Sequence, residues 1–178
     1  MDLVSFVFQD TFLFYDTLYE NIAVGSSKAT RDTVIAAARA AQCHEFIEKL
    51  PNGYETRIGD KGVFLSSGEA QRVCVARAIL KNAPILVLDE ATAFADPENE
   101  YKMQQALKSL IKDKTVIIIA HRLSSIVSSD RIIVLKDGKA VQCGRHEELS
   151  SQEGVYKKMW NAYTSAFRWQ LNVKQEKE

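Results

Sequence analysis

The sequence predicts an α/β fold, a mainly parallel sheet carrying a helical insert, and three observations lead there. Ile85 to Leu88, Val116 to Ala120 and Ile132 to Leu135 are short, uninterrupted apolar runs, the pattern of strands buried on both faces of a parallel sheet. A helical pattern from Pro97 to Lys112 separates the first two runs, which makes a β-α-β unit. A long, mostly helical stretch, Thr17 to about Leu80, precedes all three.

Taken in order, Ser5 to Gln9 is an apolar run read as a strand, followed by a loop rich in aromatics and Asp. In the helical stretch, Val34, Ala37, Ala38 and Ala41 recur at helical spacing after Thr30 and Asp32, and Phe46, Ile47 and Leu50 continue the pattern. Pro51 and Gly53 end it, and Glu55 to Phe64, with Gly59 and Gly62, reads as an exposed loop. Ser66 begins another helix, whose apolar face holds Val73, Val75, Ala76, Ile79 and Leu80. Met103, Leu107, Leu110 and Ile111 mark one face of the helix after Pro97, with Asp96 placed to cap it. Asp137-Gly138 between Ile132 to Lys136 and Lys139 to Cys143 is a hairpin turn. Glu147 to Ala162 closes the chain with helices, and the polar end from Asn172 to Glu178 is expected to fray.

Composition narrows the function. A chain of 178 residues with 46% hydrophobic and 26% charged residues can bury one core. Its 23 basic and 23 acidic residues cancel, so no electrostatic footprint for nucleic acid is expected. The longest stretch without charge, Met159 to Phe167, is far shorter than the ~20 residues a membrane span needs. The amino terminus lacks the pattern of a secretory signal. Cys43, Cys74 and Cys143 form no C-x-x-C pair and read as reduced packing residues.

The chemistry-bearing residues gather at expected sheet ends. Asp89 and Glu90 follow the apolar run Ile85 to Leu88, at the carboxyl end of a buried strand, where open α/β sheets bind ligands. Carboxylates there suit Mg²⁺ and the orientation of an attacking water. His121 ends the neighbouring run and projects at the same edge. Gln9, at the end of the first strand, offers a side-chain oxygen. Ser66 followed three residues later by Glu69 has the form of a capping box, and the same helix start, Ser66 to Gly68, offers backbone N–H groups to a phosphate.

In this order the pieces resemble the nucleotide-binding domain of ABC transporters over nearly the whole chain, from Ser5 to about Trp169. Phe6 to Asp10 resembles the Q-loop, Leu65-Ser66-Ser67-Gly68-Glu69 the LSGGQ signature, and Ile85 to Glu90 the Walker B strand. Ala93 to Asp96 resembles the D-loop, and Ala120-His121-Arg122 the H-loop. Thr56 to Gly62 is similar to the loop that touches the coupling helices of exporters, which favours export over import. The resemblance implies a P-loop NTPase-like fold, with a helical subdomain over about 17–80, a RecA-like core from 1–16 and 81–164, and a tail over 165–178. It implies two such domains sandwiching two ATP molecules with Mg²⁺, on the cytoplasmic face of a membrane reached only through a permease domain. By residue, Glu90 polarises water, His121 contacts the γ-phosphate, Gln9 and Asp89 serve Mg²⁺, Asp96 acts across the dimer, and Ser66, Ser67, Gly68 and Glu69 grip the partner's nucleotide.

The sequence departs from the family pattern in three places. The phosphate cradle G-x-x-x-x-G-K-[ST] is missing; the sole Gly-Lys pair, Gly138-Lys139, sits in the hairpin turn. The chain is therefore expected to be the carboxyl-terminal part of an ATP-binding domain, inactive and of low stability by itself. In the signature, Ser67 replaces a glycine and Glu69 a glutamine, and Ala93 replaces the usual D-loop serine, so the signature's site is expected to be weak. Two alternatives remain: a non-catalytic half-domain that only docks or dimerises, and the carboxyl-terminal lobe of a chromosome-maintenance ATPase, against which the missing heptads and basic face speak.

Overall fold

Three parallel strands stand side by side in the order β1 (Val4–Val7), β2 (Ile85–Asp89) and β3 (Thr115–Ile119). This is a computed structural model that describes residues 3–59, 62–89, 97–120 and 122–175. The register sets Val7 opposite Leu88, Leu88 opposite Ile118, and Asp89 opposite Ile119, so all three strands end at one edge. The first strand begins and ends earlier than the apolar run Ser5 to Gln9, because the chain leaves the ladder after Val7.

Between β1 and β2 come α1 (Leu18–Ala23), α2 (Arg31–Ala40), α3 (His44–Glu48), a 3₁₀ turn at Gly53–Glu55, and α4 (Ser67–Lys81). The caps explain these breaks. Thr17 and Thr30 each accept a hydrogen bond from the backbone of the first turn of α1 and α2, and Thr30 forms a reciprocal box with Thr33. Asn82 stops α4 in the left-handed conformation, at φ 50°. Then α5 (Pro97–Ile111) joins β2 to β3, with Met103, Ala106, Leu107 and Leu110 buried as the helical spacing predicts.

One core holds this part together. Val7, Leu86 and Leu88 from the sheet pack with Val73 and Ala76 of α4, Met103 and Leu110 of α5, and Leu18, Ile22, Val34 and Ala38 of the helical segment. Burying these side chains contributes about 1.5 to 3 kcal/mol for each large one. The expectation that the apolar runs are buried on both faces fails here. Ser5, Val7, Leu86 and Leu88 point into the core, whereas Phe6, between Ser5 and Val7, is exposed, and so are Ile117, Ile118 and Ile119 of β3.

The segment Glu55 to Phe64 is also less open than its glycines suggest. Thr56 and Gly59 are buried, and the strand-like bridge Thr17 to Arg57 ties the segment down. Leu18 N–H donates to Thr56 O at 3.0 Å and Ile58 N–H to Asp16 O at 3.0 Å. Gly59 has φ 106°, and a Cβ there would enter the Tyr15 ring, so no other residue fits.

Residues from Ala120 onward form a second unit. Here β4 (Ile132–Lys136) pairs antiparallel with β5 (Lys139–Gly144), which corrects the assignment of Ile132 to Leu135 to the parallel sheet. Asp137 and Gly138 both take positive φ, 51° and 73°, and fold the run back on itself. Ile132 and Val134 then face inward and Ile133 and Leu135 outward. A 3₁₀ turn at Leu123–Ile126 and two helices, α6 (His146–Ser151) and α7 (Val155–Gln175), complete the unit. Its core joins Ile132, Val134, Leu149 and Tyr156. The last helix continues past Asn172, where the polar composition predicts fraying, to Gln175.

Candidate functional site

The start of α4 is the best-defined piece of the expected site. Ser66 stands in extended backbone and caps the helix: its Oγ accepts from Glu69 N–H at 3.3 Å. Glu69 returns the favour through Oε2, which accepts from Ser66 N–H at 2.9 Å and from Ser66 Oγ at 2.8 Å. The capping box legible in the sequence is therefore formed, with a carboxylate seated on the positive end of the helix. The amide of the exposed Ser67 has no hydrogen-bond partner among the described residues, so one donor stays open at the helix start. Gly68 is buried against Asn99, where a Cβ would stand 3.2 Å from the side-chain amide.

At the sheet edge, Asp89 is the last residue of β2 and half-buried, and Gln9 is exposed two residues beyond β1. Parallel pairing of β1 with β2 brings both to the same carboxyl edge. Both offer oxygen, the donor a hard cation such as Mg²⁺ prefers. Among the described residues no group of three or more His, Cys, Asp or Glu side chains converges as a dedicated metal cage. Glu90, Asp96 and His121 lie outside the described residues, directly after β2, before α5 and after β3. Among the described residues no hydrogen bond joins Gln9 or Asp89 to Ser66 through Glu69.

A connection that the sequence reading missed runs behind α4. Asn21 is completely buried; its Nδ2 donates to Phe14 O at 3.0 Å and Thr17 O at 2.9 Å, and its Oδ1 accepts from Phe14 N–H at 2.8 Å. Arg77 of α4 donates to Asn21 O at 2.9 Å and to Phe12 O at 3.2 Å, and its Cζ lies 5.4 Å from the Phe14 ring centroid. Burial lowers the Arg77 pKa. The signature helix is thus tied to the loop that follows Gln9. A signal existed: Asn21 falls on the apolar face with Leu18 and Ile22, at helical spacing, where a polar side chain needs partners.

This parallel sheet edge, with a Q-loop-like turn, a Walker B-like strand and a capped signature helix, defines a nucleotide-binding domain of the ABC class. The chain belongs to the ABC transporter family, whose model matches residues 2–93. It is 52% identical over 157 residues to an ATP-dependent lipid A-core flippase of Methylobacillus flagellatus, which covers 88% of this chain and 27% of the relative. To the mycobactin import ATP-binding/permease protein IrtA of Mycolicibacterium smegmatis it is 51% identical, over 88% of this chain and 18% of that one. Among solved structures, a bacterial Atm1-family ABC exporter with ATP bound superposes with a TM-score of 0.80 at 43% identity, covering 90% of this chain and 28% of the exporter. The chain thus spans about a quarter of the length of such relatives.

Proposed function

We propose that this chain is the carboxyl-terminal part of an ATP-hydrolysing domain that powers an ABC exporter. The observation that carries the reading is the start of α4, where a formed capping box leaves the exposed Ser67 amide open to an anion. Asp89 and Gln9 would hold Mg²⁺, and the ion would offset charge on the phosphates of ATP. Glu90 would orient the attacking water, and His121 would contact the γ-phosphate. Ser66 to Glu69 and Asp96 would act on the nucleotide of a second such domain. These roles follow the resemblance, residue by residue.

Coupling to a membrane domain is supported by the loop after Gln9. Phe12, Phe14 and Tyr15 are exposed there, next to the Thr56 to Gly59 segment that holds Asp16 and Leu18, and behind them Arg77 leads to the signature helix. An exposed aromatic loop tied to the helix that carries Ser66 to Glu69 suits a surface that receives a permease domain. Export is favoured by the Thr56 to Gly62 motif and by the flippase relative, while the import relative has nearly the same identity.

The chain by itself has no G-x-x-x-x-G-K-[ST] cradle. We therefore propose that it hydrolyses no ATP unless another segment supplies those donors. The test is a chimera in which this chain replaces the matching 157 residues of the flippase relative. Turnover of MgATP is expected in the chimera and not in the chain alone, with Glu90→Gln abolishing it. A chimera that folds and binds ATP but never turns over would overturn the catalytic reading in favour of a docking half-domain.

A further inference from the structure

Three residues along α4 from Glu69, a cavity of about 330 Å³ opens between α2, α3, α4 and α5. It is within the range of about 300 to 1,000 Å³ typical of small-molecule sites. Arg39, Lys49, Arg72 and Lys102 line it against one carboxylate, Glu45. Lys102 is engaged by Glu98, at 2.6 Å. Among the described residues the hydrogen-bond partner of Arg39 Nη2 is the His44 ring, at 3.3 Å, and that ring also faces Glu48, at 3.3 Å, and Tyr54, at 2.9 Å. Among the described residues no carboxylate forms an ion pair with Arg39, Lys49 or Arg72.

Arg72 makes this more than a charged surface. Its side chain is buried, with the residue only 3% exposed. Nη1 donates to Asn99 Oδ1 at 2.8 Å, Cζ lies 5.6 Å from the Phe46 ring centroid, and among the described residues Nε has no hydrogen-bond partner. Buried charges are normally paired, because a low-dielectric interior strips them of water without returning a counter-charge. The Phe46 ring answers part of that cost, and the neutral Asn99 amide answers another. Among the described residues no full negative charge pairs with Arg72, and the cavity beside it is the place for one. Two exposed cations at its rim, Arg39 and Lys49, would draw such a charge in.

We propose that this cavity is an oxyanion site, taking inorganic phosphate or the phosphoryl group of a soluble phosphomonoester. A phosphate presents several oxygens to guanidinium and ammonium donors at once, which matches a site made of arginine and lysine. Because Arg72 is part of α4, an occupied site steadies the helix that carries Ser66 to Glu69. This inference does not depend on ATP hydrolysis.

The test is a ³¹P NMR titration of the purified chain with inorganic phosphate, and in parallel with glycerol 3-phosphate, at constant ionic strength set by chloride. The double variant Arg39→Gln/Lys49→Gln changes only exposed side chains, so its fold is expected to survive. Saturable binding is expected, weakened about tenfold or more in the double variant as two charge-assisted contacts are lost. Tighter binding of glycerol 3-phosphate would assign the site to phosphomonoesters, and equal binding to the free anion; both support it. Absence of binding, or binding that the double variant leaves unchanged, overturns the proposal, the second result locating the anion elsewhere, for example at the start of α4.

Discussion

Arg77 reaches from α4 to Asn21 in α1 with two of its nitrogens, Nε to the backbone oxygen at 2.9 Å and Nη2 to the side-chain oxygen at 3.3 Å. A third nitrogen holds Phe12 O at 3.2 Å. One side chain thus fixes the loop after Gln9 and the first helix of the insert to the signature helix. Arg77→Gln is expected to lower stability by about 2 to 3 kcal/mol, as charge-assisted hydrogen bonds are lost at a half-buried place. Arg77→Lys should recover little, since one ammonium cannot span three acceptors. Urea midpoints of the two variants measure this; equal stability of Arg77→Lys and the parent would refute the fork.

The cap of α4 separates charge from geometry. Ser66→Ala removes the acceptor of Glu69 N–H and should cost about 1 kcal/mol of stability. Glu69→Gln keeps an oxygen for Ser66 N–H but removes a negative charge beside the open amide of Ser67. Stability is expected to change by less than about 0.5 kcal/mol, while ATP turnover of the flippase chimera rises. If Glu69→Gln with Ser67→Gly leaves turnover unchanged, the signature is not the weak point of the site.

Alkaline solution should loosen the helical segment. Tyr54 is buried, and burial, which disfavours the charged phenolate, pushes its pKa up to about 12 from 10.0. A group whose folded pKa is raised contributes its full share below the unfolded value and loses it as pH climbs through the folded one. The window is therefore pH 10 to about 12. Denaturant midpoints across that window should fall less steeply for Tyr54→Phe than for the parent chain; identical slopes would refute the assignment.

The three thiols should differ in reactivity. Cys143 is exposed, Cys74 is partly covered and Cys43 is buried, with burial raising the pKa of Cys74 and Cys43. A disulfide reagent is expected to modify Cys143 first and Cys43 only on unfolding, because the thiolate is the reacting form and needs access. Mass spectrometry of partly labelled chain gives the order; early labelling of Cys43 would contradict its place in the core.

Much of this protein was legible in the residues themselves. Periodicity placed α5 and the β-α-β unit, since a helix that buries one stripe must repeat apolar side chains at Met103, Leu107 and Leu110. Local chemistry placed the hairpin at Asp137-Gly138 and the box from Ser66 to Glu69, because both depend on neighbours within four residues. Tertiary structure decided the rest. Which strand Ile132 to Leu135 joins, which face of the sheet is bare, and that Asn21 answers Arg77 from 56 residues away all depend on long-range packing. A sequence pattern records what a side chain must bury, and only the folded chain determines against what.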